Sequence, residues 1–213
     1  MIALRLIELG MKKLVDFLED EKNLLKEGFK HVRSCLEART CREGKAFAIS
    51  TRLLMLHEEL KELAVEIIAR YQPVASDLRF IVSSMEVSYD LYRVSRYLAE
   101  IERMLRLAQN IRCNYDNVVR LYNVAEQMIY EAVNVFLERK VDEAQNIIEV
   151  DNTIDRAYVE GIEDAIRAQE LSACDALKLL VLRHLERIGD HATYIANSAV
   201  YVVTGYRPEA EET

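Results

Sequence analysis

Four acidic residues stand at spacings that could hold a cation. Asp151 and Asp155 are four apart, and so are Glu186 and Asp190. On a helix turning about 100° per residue, each pair shares a face. Around the first pair, Ala144, Ile147, Ile148, Ile154, Tyr158, Ile162, Ala165 and Ile166 gather into one apolar stripe, with both aspartates inside it. A carboxylate there meets a desolvation penalty of several kcal/mol unless a cation or hydrogen-bond donor meets it. The pair also repels itself by a few tenths of a kcal/mol. Two explanations stand: Arg or Lys from a neighbouring helix bridges the stripe margin, or the pair holds a metal ion. Glu186 and Asp190 lie with Arg183, Thr193 and Asn197, away from the stripe of Leu177, Val181, His184, Ile188, Ala192, Ile195 and Ala199. Alone, this is an ordinary polar face. If the two helices are antiparallel neighbours, however, Asp151, Asp155, Glu186 and Asp190 offer four oxygen ligands to one hard or borderline cation near the surface, a divalent or trivalent Fe, Zn, Mn or Mg. His191 and Arg187 are placed to support those ligands.

Other reactive residues carry less pattern. His184 reads as a hydrogen-bonded core residue, and His31 and His57 have no partner pattern. The tyrosines are spaced as packing or interface residues. Cys35, Cys41, Cys113 and Cys174 form no CxxC pair and are expected to be free thiols. A di-iron carboxylate enzyme is the catalytic alternative, but that centre uses Glu-x-x-His on two helices. The residues three before the histidines are Gly28, Leu54, Val181 and Ile188. No serine, cysteine or glycine-rich loop stands in a catalytic pattern either.

Helices must position these groups. Among 213 residues there are 2 prolines and 6 glycines, too few to punctuate a sandwich or barrel, and the 51% hydrophobic content argues against disorder. The net charge of −8 argues against nucleic acid and anionic lipid. The longest uncharged run, His191 to Tyr206, is too short to cross a membrane, and Arg5 and Glu8 interrupt any signal-peptide core. Apolar periodicity predicts six helices: about Ala3 to Ala38, Lys45 to Arg70, Ser76 (as N-cap) to Asn110, Asn114 or Asp116 to Arg139, Asp142 to Gln169, and Ser172 (with Asp175, a capping box) to Gly205. The third and sixth helices resemble each other, Leu91 to Arg96 aligning with Leu185 to Asp190. Duplication of a three-helix unit follows. The expected architecture is all-α, two tandem three-helix bundles over residues 1–112 and 113–207, with an acidic tail at 208–213.

At this point the chain resembles a known family. Gln72 to Arg79 is similar to the start of the third helix in the PhoU family of phosphate-uptake regulators, and Leu185-Glu186-Arg187-Ile188-Gly189-Asp190-His191-Ala192 is similar to that family's most recognisable segment. Asp151 to Asp155 looks like its DxxxD motif and Tyr201 to Gly205 like its ending. The resemblance implies a cytoplasmic, non-enzymatic adaptor, commonly a homodimer, that restrains phosphate uptake. It would act between the ATPase subunit of a high-affinity phosphate ABC transporter and a sensor histidine kinase. It also implies metal or iron-cluster binding through paired acidic motifs, here Asp151, Asp155, Glu186 and Asp190. The first repeat departs from the pattern: Tyr92 and Arg96 stand where the acidic pair of the third helix would be, and Ser50 and Leu54 where the DxxxD would be. Glu58 and Glu62, or Glu86 and Asp90, read as solvated faces. One metal site at most is expected, on the second bundle. A metal-free helical interaction module is the other reading.

Overall fold

Proline, glycine and capping side chains divide the chain where the sequence suggests. The structure, a computed structural model, describes residues 2–39, 41 and 44–207, with residues 2–5 described by backbone alone; the expected acidic tail lies outside these residues. The helices are α1 (Ile2–Ala38), α2 (Lys45–Tyr71), α3 (Ala75–Leu107), α4 (Asp116–Glu138), α5 (Val141–Arg167) and α6 (Ala173–Thr204). Before Pro73, α2 closes with Gln72 in the left-handed region, its amide donating to the Ile68 carbonyl at 3.1 Å. Ser172 caps α6 as expected: its Oγ accepts from the Asp175 amide at 3.1 Å and donates to Asp175 Oδ2 at 2.6 Å. Gly205, at φ +76°, ends α6 by donating to the Tyr201 carbonyl. The Ser76 cap is not used, because α3 begins one residue earlier with Val74 as N-cap. Asn114 acts before α4, its Oδ1 accepting from the Asp116 amide at 2.8 Å.

Two tandem bundles result. Helices α1, α2 and α3 pack on one another, as do α4, α5 and α6, and the bundles meet through α3 against α6 and α1 against α4. The α1–α4 seam is built on aromatic rings. Tyr122 is fully buried, stands edge-on to Phe29 at 5.6 Å, and donates its hydroxyl to the Phe29 carbonyl at 2.9 Å. Each such ring contributes roughly 1.5–3 kcal/mol through burial, and the hydroxyl, having a partner, does not oppose it. Beside it, Arg33 of α1 pairs with Glu126 of α4, whose other oxygen accepts from Tyr130 at 3.0 Å. Like α3, which touches α1, α2 and α6, α6 packs against three helices, α3, α4 and α5. By contrast the C-terminal half of α5 stands away from the core: Ile166, expected in its apolar stripe, is 78% exposed. A cavity of about 620 Å³ opens there between α4, α5 and α6, along Leu121, Gly161 and Leu182.

The cysteines depart from expectation. Cys35 and Cys41 form one disulfide and Cys113 and Cys174 another, with Cα separations of 4.8 and 5.3 Å. Spacing along the chain missed both, because the α1–α2 corner closes the first and the return of α6 to the α3–α4 connection closes the second. The loops span 6 and 61 residues. By loop-closure entropy, in the oxidised protein Cys113→Ser with Cys174→Ser is expected to cost about 4 kcal/mol in denaturant unfolding, and Cys35→Ser with Cys41→Ser about 2 kcal/mol.

Two carboxyls among the described residues of the first bundle are buried, Glu21 and Glu102, and only Glu21 keeps an oxygen without a hydrogen-bond partner. Glu21 falls in the inward stripe of α1, between Leu18 and Leu25, and is fully buried. Ser88 of α3 donates to its Oε1 at 2.7 Å and lies 3.1 Å from Nδ1 of His57 of α2, while Oε2 has no hydrogen-bond partner. Burial pushes the Glu21 carboxyl up to about 8, with Ser88 opposing, and lowers His57. Between the ordinary value of 4.5 and about 8, the folded chain therefore keeps a proton here that the unfolded chain has lost. Stability falls as pH rises through that window, and the loss is complete above it. Urea titrations from pH 4.5 to 8.5 should show wild type losing up to about 1.4 kcal/mol per pH unit more than Glu21→Gln.

Candidate functional site

The α5–α6 contact brings the two acidic pairs face to face. Asp151 lies in the buried stripe of α5 with Ala144, Ile147 and Ile154 and is only 7% exposed; Asp155, one turn on, is half-buried. Glu186 and Asp190 are half-buried too. They were expected on the solvated side of α6, but α5 covers that side. The expected inward stripe holds at Leu177, Val181, Ile188, Ala192, Ile195 and Ala199, and it widens to Leu185 and Ala196 while leaving out His184. His184 is accordingly not a hydrogen-bonded core residue: it is half-buried against the Tyr97 ring at 5.8 Å, and burial lowers its pKa.

The basic partners are divided unequally. Arg183 donates to Glu186 Oε1 at 2.7 Å, and Arg187 reaches both Glu186 Oε2 at 3.2 Å and Asp190 Oδ2 at 2.9 Å. All these contacts stay within α6. Among the described residues, neither Asp151 nor Asp155 has an ion-pair partner, so the Arg or Lys bridge from a neighbouring helix is not the arrangement here. Asp151 Oδ1, Asp155 Oδ1 and Glu186 Oε2 are buried without a hydrogen bond. Burial raises all four carboxyls. Asp151 reaches about 8, raised by burial first and then by the charges of Asp155, Asp190 and Glu186. Asp155 and Glu186 are raised by burial and by Asp190, and Asp190 by burial, with Arg187 opposing all three. An oxygen-only set carrying buried, unmatched acceptors fits a hard or borderline cation. The set is open: among the described residues, the trio of candidate ligand atoms lying within 4.8 Å of one another is found elsewhere, at His31, Cys35 and Cys41.

Gly189 explains how Asp151 enters the interface. A Cβ on Gly189 would overlap Asp151 Oδ1 outright. A mid-helix glycine costs roughly 1 kcal/mol relative to alanine; here it makes room for a carboxylate from the facing helix. The first repeat is built differently at the matching places. Ser95 replaces the glycine and donates back to the Tyr92 carbonyl at 2.6 Å. Ser50 is buried with an unpartnered Oγ, and Leu54 is partly exposed. Arg96 reaches Glu100 at 4.0 Å, a fixed cation where the second repeat has Asp190.

Several partnerships escaped the sequence reading. Asp90, taken for a solvated residue, is half-buried and accepts from His191 Nδ1 at 2.8 Å, tying α3 to α6. That bond turns His191 toward the first bundle. Arg187 is the one that contacts the acidic pair. His31 and His57, without a pattern in sequence, contact Glu102 and Ser88. Glu21 did leave a signal, a charge within the α1 stripe, and so did Gly189, a glycine inside an otherwise strong helix. Asp90 with His191 left none, since 101 residues separate them.

Gly189→Ala is expected to lower stability by about 1–2 kcal/mol in denaturant unfolding, because overpacking at Asp151 outweighs the roughly 1 kcal/mol that alanine adds to helix propensity. A gain in stability would show that Asp151 gives up its seat freely.

Similar proteins accord with this architecture. A family model described as the PhoU domain matches residues 18–105 and again 118–199, one match per bundle. A Pseudomonas aeruginosa protein named phosphate-specific transport system accessory protein PhoU homolog is 30% identical over 164 residues, covering 74% of this chain and 68% of that protein. The crystal structure of PhoU from Pseudomonas aeruginosa superposes with a TM-score of 0.82 at 25% identity, covering 93% of this chain and 99% of that one. The phosphate transport system regulatory protein PhoU from Streptococcus pneumoniae shares the fold, with a TM-score of 0.75 at 20% identity over 96% of this chain and all of that one. Two successive matches to one domain model, together with a superposition that spans both bundles, make this chain a member of the PhoU family.

Proposed function

We propose that this chain is a non-enzymatic regulator of phosphate uptake, an adaptor that acts on a high-affinity phosphate ABC transporter through its ATPase subunit, on the associated sensor histidine kinase, or on both, to restrain uptake. Family membership supports the reading, as do relatives named for accessory roles in phosphate-specific transport. Exposed apolar residues along α2, Phe47, Leu54 and Met55, are of the kind that partner proteins cover. No helix among the described residues is long and apolar enough to cross a membrane. A cytoplasmic homodimer is the form proposed.

The second bundle of this adaptor holds a cation on Asp151, Asp155, Glu186 and Asp190, with Arg187 orienting Glu186 and Asp190. The observation that carries this is the aspartate pair of α5, Asp151 buried and Asp155 half-buried, which faces a second acidic pair and has no ion-pair partner among the described residues. A bound ion would supply the missing positive charge and draw α5 onto α6; iron, zinc, manganese and magnesium all accept such oxygen donors. The metal-free module is the competing reading. It is favoured by the hold of Arg183 and Arg187 on the α6 oxygens and by the openness of the set.

Equilibrated with Fe, Mn or Zn under oxidising conditions, the wild type is expected to retain about one ion per chain, and Asp155→Ala with Glu186→Ala to lose at least tenfold in affinity. Binding indifferent to both changes would remove the site. Immobilised protein should capture the cognate phosphate-transporter ATPase at low or high phosphate, and failure at both would count against the adaptor role.

A further inference from the structure

The corner where α1 gives way to α2 gathers donors of another chemical type. His31 and Cys35 are one turn apart on α1, and Cys41 stands between the two helices. His31 Nε2 lies 3.9 Å from Cys35 Sγ and 3.9 Å from Cys41 Sγ. Glu102 arrives from α3: its Oε1 is 2.7 Å from His31 Nε2 and 3.6 Å from Cys41 Sγ. Cys35, Cys41 and Glu102 are all buried. Glu102 is held in place by the start of α2, where the Lys45 amide donates to Oε1 at 3.1 Å and the Ala46 amide to Oε2 at 3.0 Å. Two sulfurs and one imidazole nitrogen thus form one ligand group, and a braced carboxylate oxygen stands against its imidazole and the Cys41 sulfur.

That donor set is not needed for a crosslink. The other disulfide shows the contrast: Cys113 Sγ faces the Cys174 carbonyl at 3.6 Å, and among the described residues no His, Asp or Glu joins Cys113 and Cys174 in a ligand group. Thiolate, imidazole and carboxylate together suit a borderline-soft ion of the zinc class, which takes four such ligands in a closed tetrahedral site. The α5–α6 groove offers oxygen alone.

We propose that Cys35 and Cys41 form a redox-switched zinc-class site, a crosslink when oxidised and, when reduced, two of four ligands completed by His31 and Glu102. A dithiol reductant supplies the electrons: the Cys35–Cys41 bond accepts two electrons and two protons, and the dithiol closes to its own disulfide. The two new thiols lose their protons as the divalent ion binds. Neutral His31 takes the Nδ1–H tautomer, which frees Nε2 to coordinate. Glu102 turns Oε1 from His31 to the ion while Oε2 keeps the Ala46 amide. Either state ties the end of α1 to the start of α2, so the corner stays closed in both redox states, and the ion adds a tie to α3. The site is independent of the regulatory reading above.

The test uses the full chain carrying Asp155→Ala and Glu186→Ala, which disables the oxygen groove. After reduction with a phosphine and removal of oxygen, it is expected to take up about one zinc ion per chain, and none while oxidised. With cobalt in place of zinc, the reduced protein should show thiolate-to-cobalt charge-transfer absorption, which reports sulfur ligation without any change to the site. Cys35→Ser should abolish uptake, His31→Ala should weaken it at least tenfold, and Cys113→Ser with Cys174→Ser should leave it unchanged. Helical circular dichroism checks that each variant folds. No zinc uptake by the reduced chain, a cobalt spectrum without the thiolate band, or uptake that survives Cys35→Ser with Cys41→Ser would each overturn the proposal.

Discussion

The seat that Gly189 provides for Asp151 is the contact on which the second bundle's chemistry depends. The absence of one side chain on α6 lets a carboxylate from α5 reach the helix backbone, and the rest of the acidic set is arranged by that approach. Asp155 follows one turn along α5, while Glu186 and Asp190 flank the glycine on α6. Because α6 is already packed by α3 and α4, α5 can only close over its remaining side. A face that would otherwise be solvated becomes a half-buried acidic groove.

Duplication supplied two such bundles, and they have been put to different uses. In the second, the facing positions are acidic and the helix between them carries a glycine. In the first, a serine bonds back to its own turn, an arginine replaces an aspartate, and the buried acids are Glu21 on α1 and Glu102 on α3. The first bundle places its polar groups in its core and at its α1–α2 corner instead. Glu102 shows how such a group is stabilised: two backbone amides at a helix start and a histidine satisfy it. Asp151 lacks all three, and burial pushes its carboxyl up to about 8.

The seam between the bundles adds a further constraint. His191 stands beside Asp190 in sequence, yet its imidazole is turned to Asp90 on α3. The acidic groove and the inter-bundle contact are therefore adjacent on α6, one residue and about 100° apart around the helix. With Tyr97 and Tyr194 packed on the same imidazole, a change in the groove has a short route to the junction of the two bundles.

How much of this was legible varies with range along the chain. Helix spans, the Ser172 cap, the Gly205 stop and the i,i+4 spacing of each acidic pair rest on interactions within a few residues, which periodicity and turn chemistry report directly, and the two-repeat plan shows as self-similarity along the chain. Charges out of place, as at Glu21 and Asp151, could also be seen, because a stripe shows its interruptions. The sequence alone did not decide which side of α6 would be covered, where His184 would pack, that Asp90 would meet His191, or which cysteines would pair. Each of these depends on how helices and their connections come together, some across about a hundred positions, and nothing in local spacing encodes the rotation of one helix against another. That rotation is set by packing the whole bundle, and only the tertiary structure fixes it.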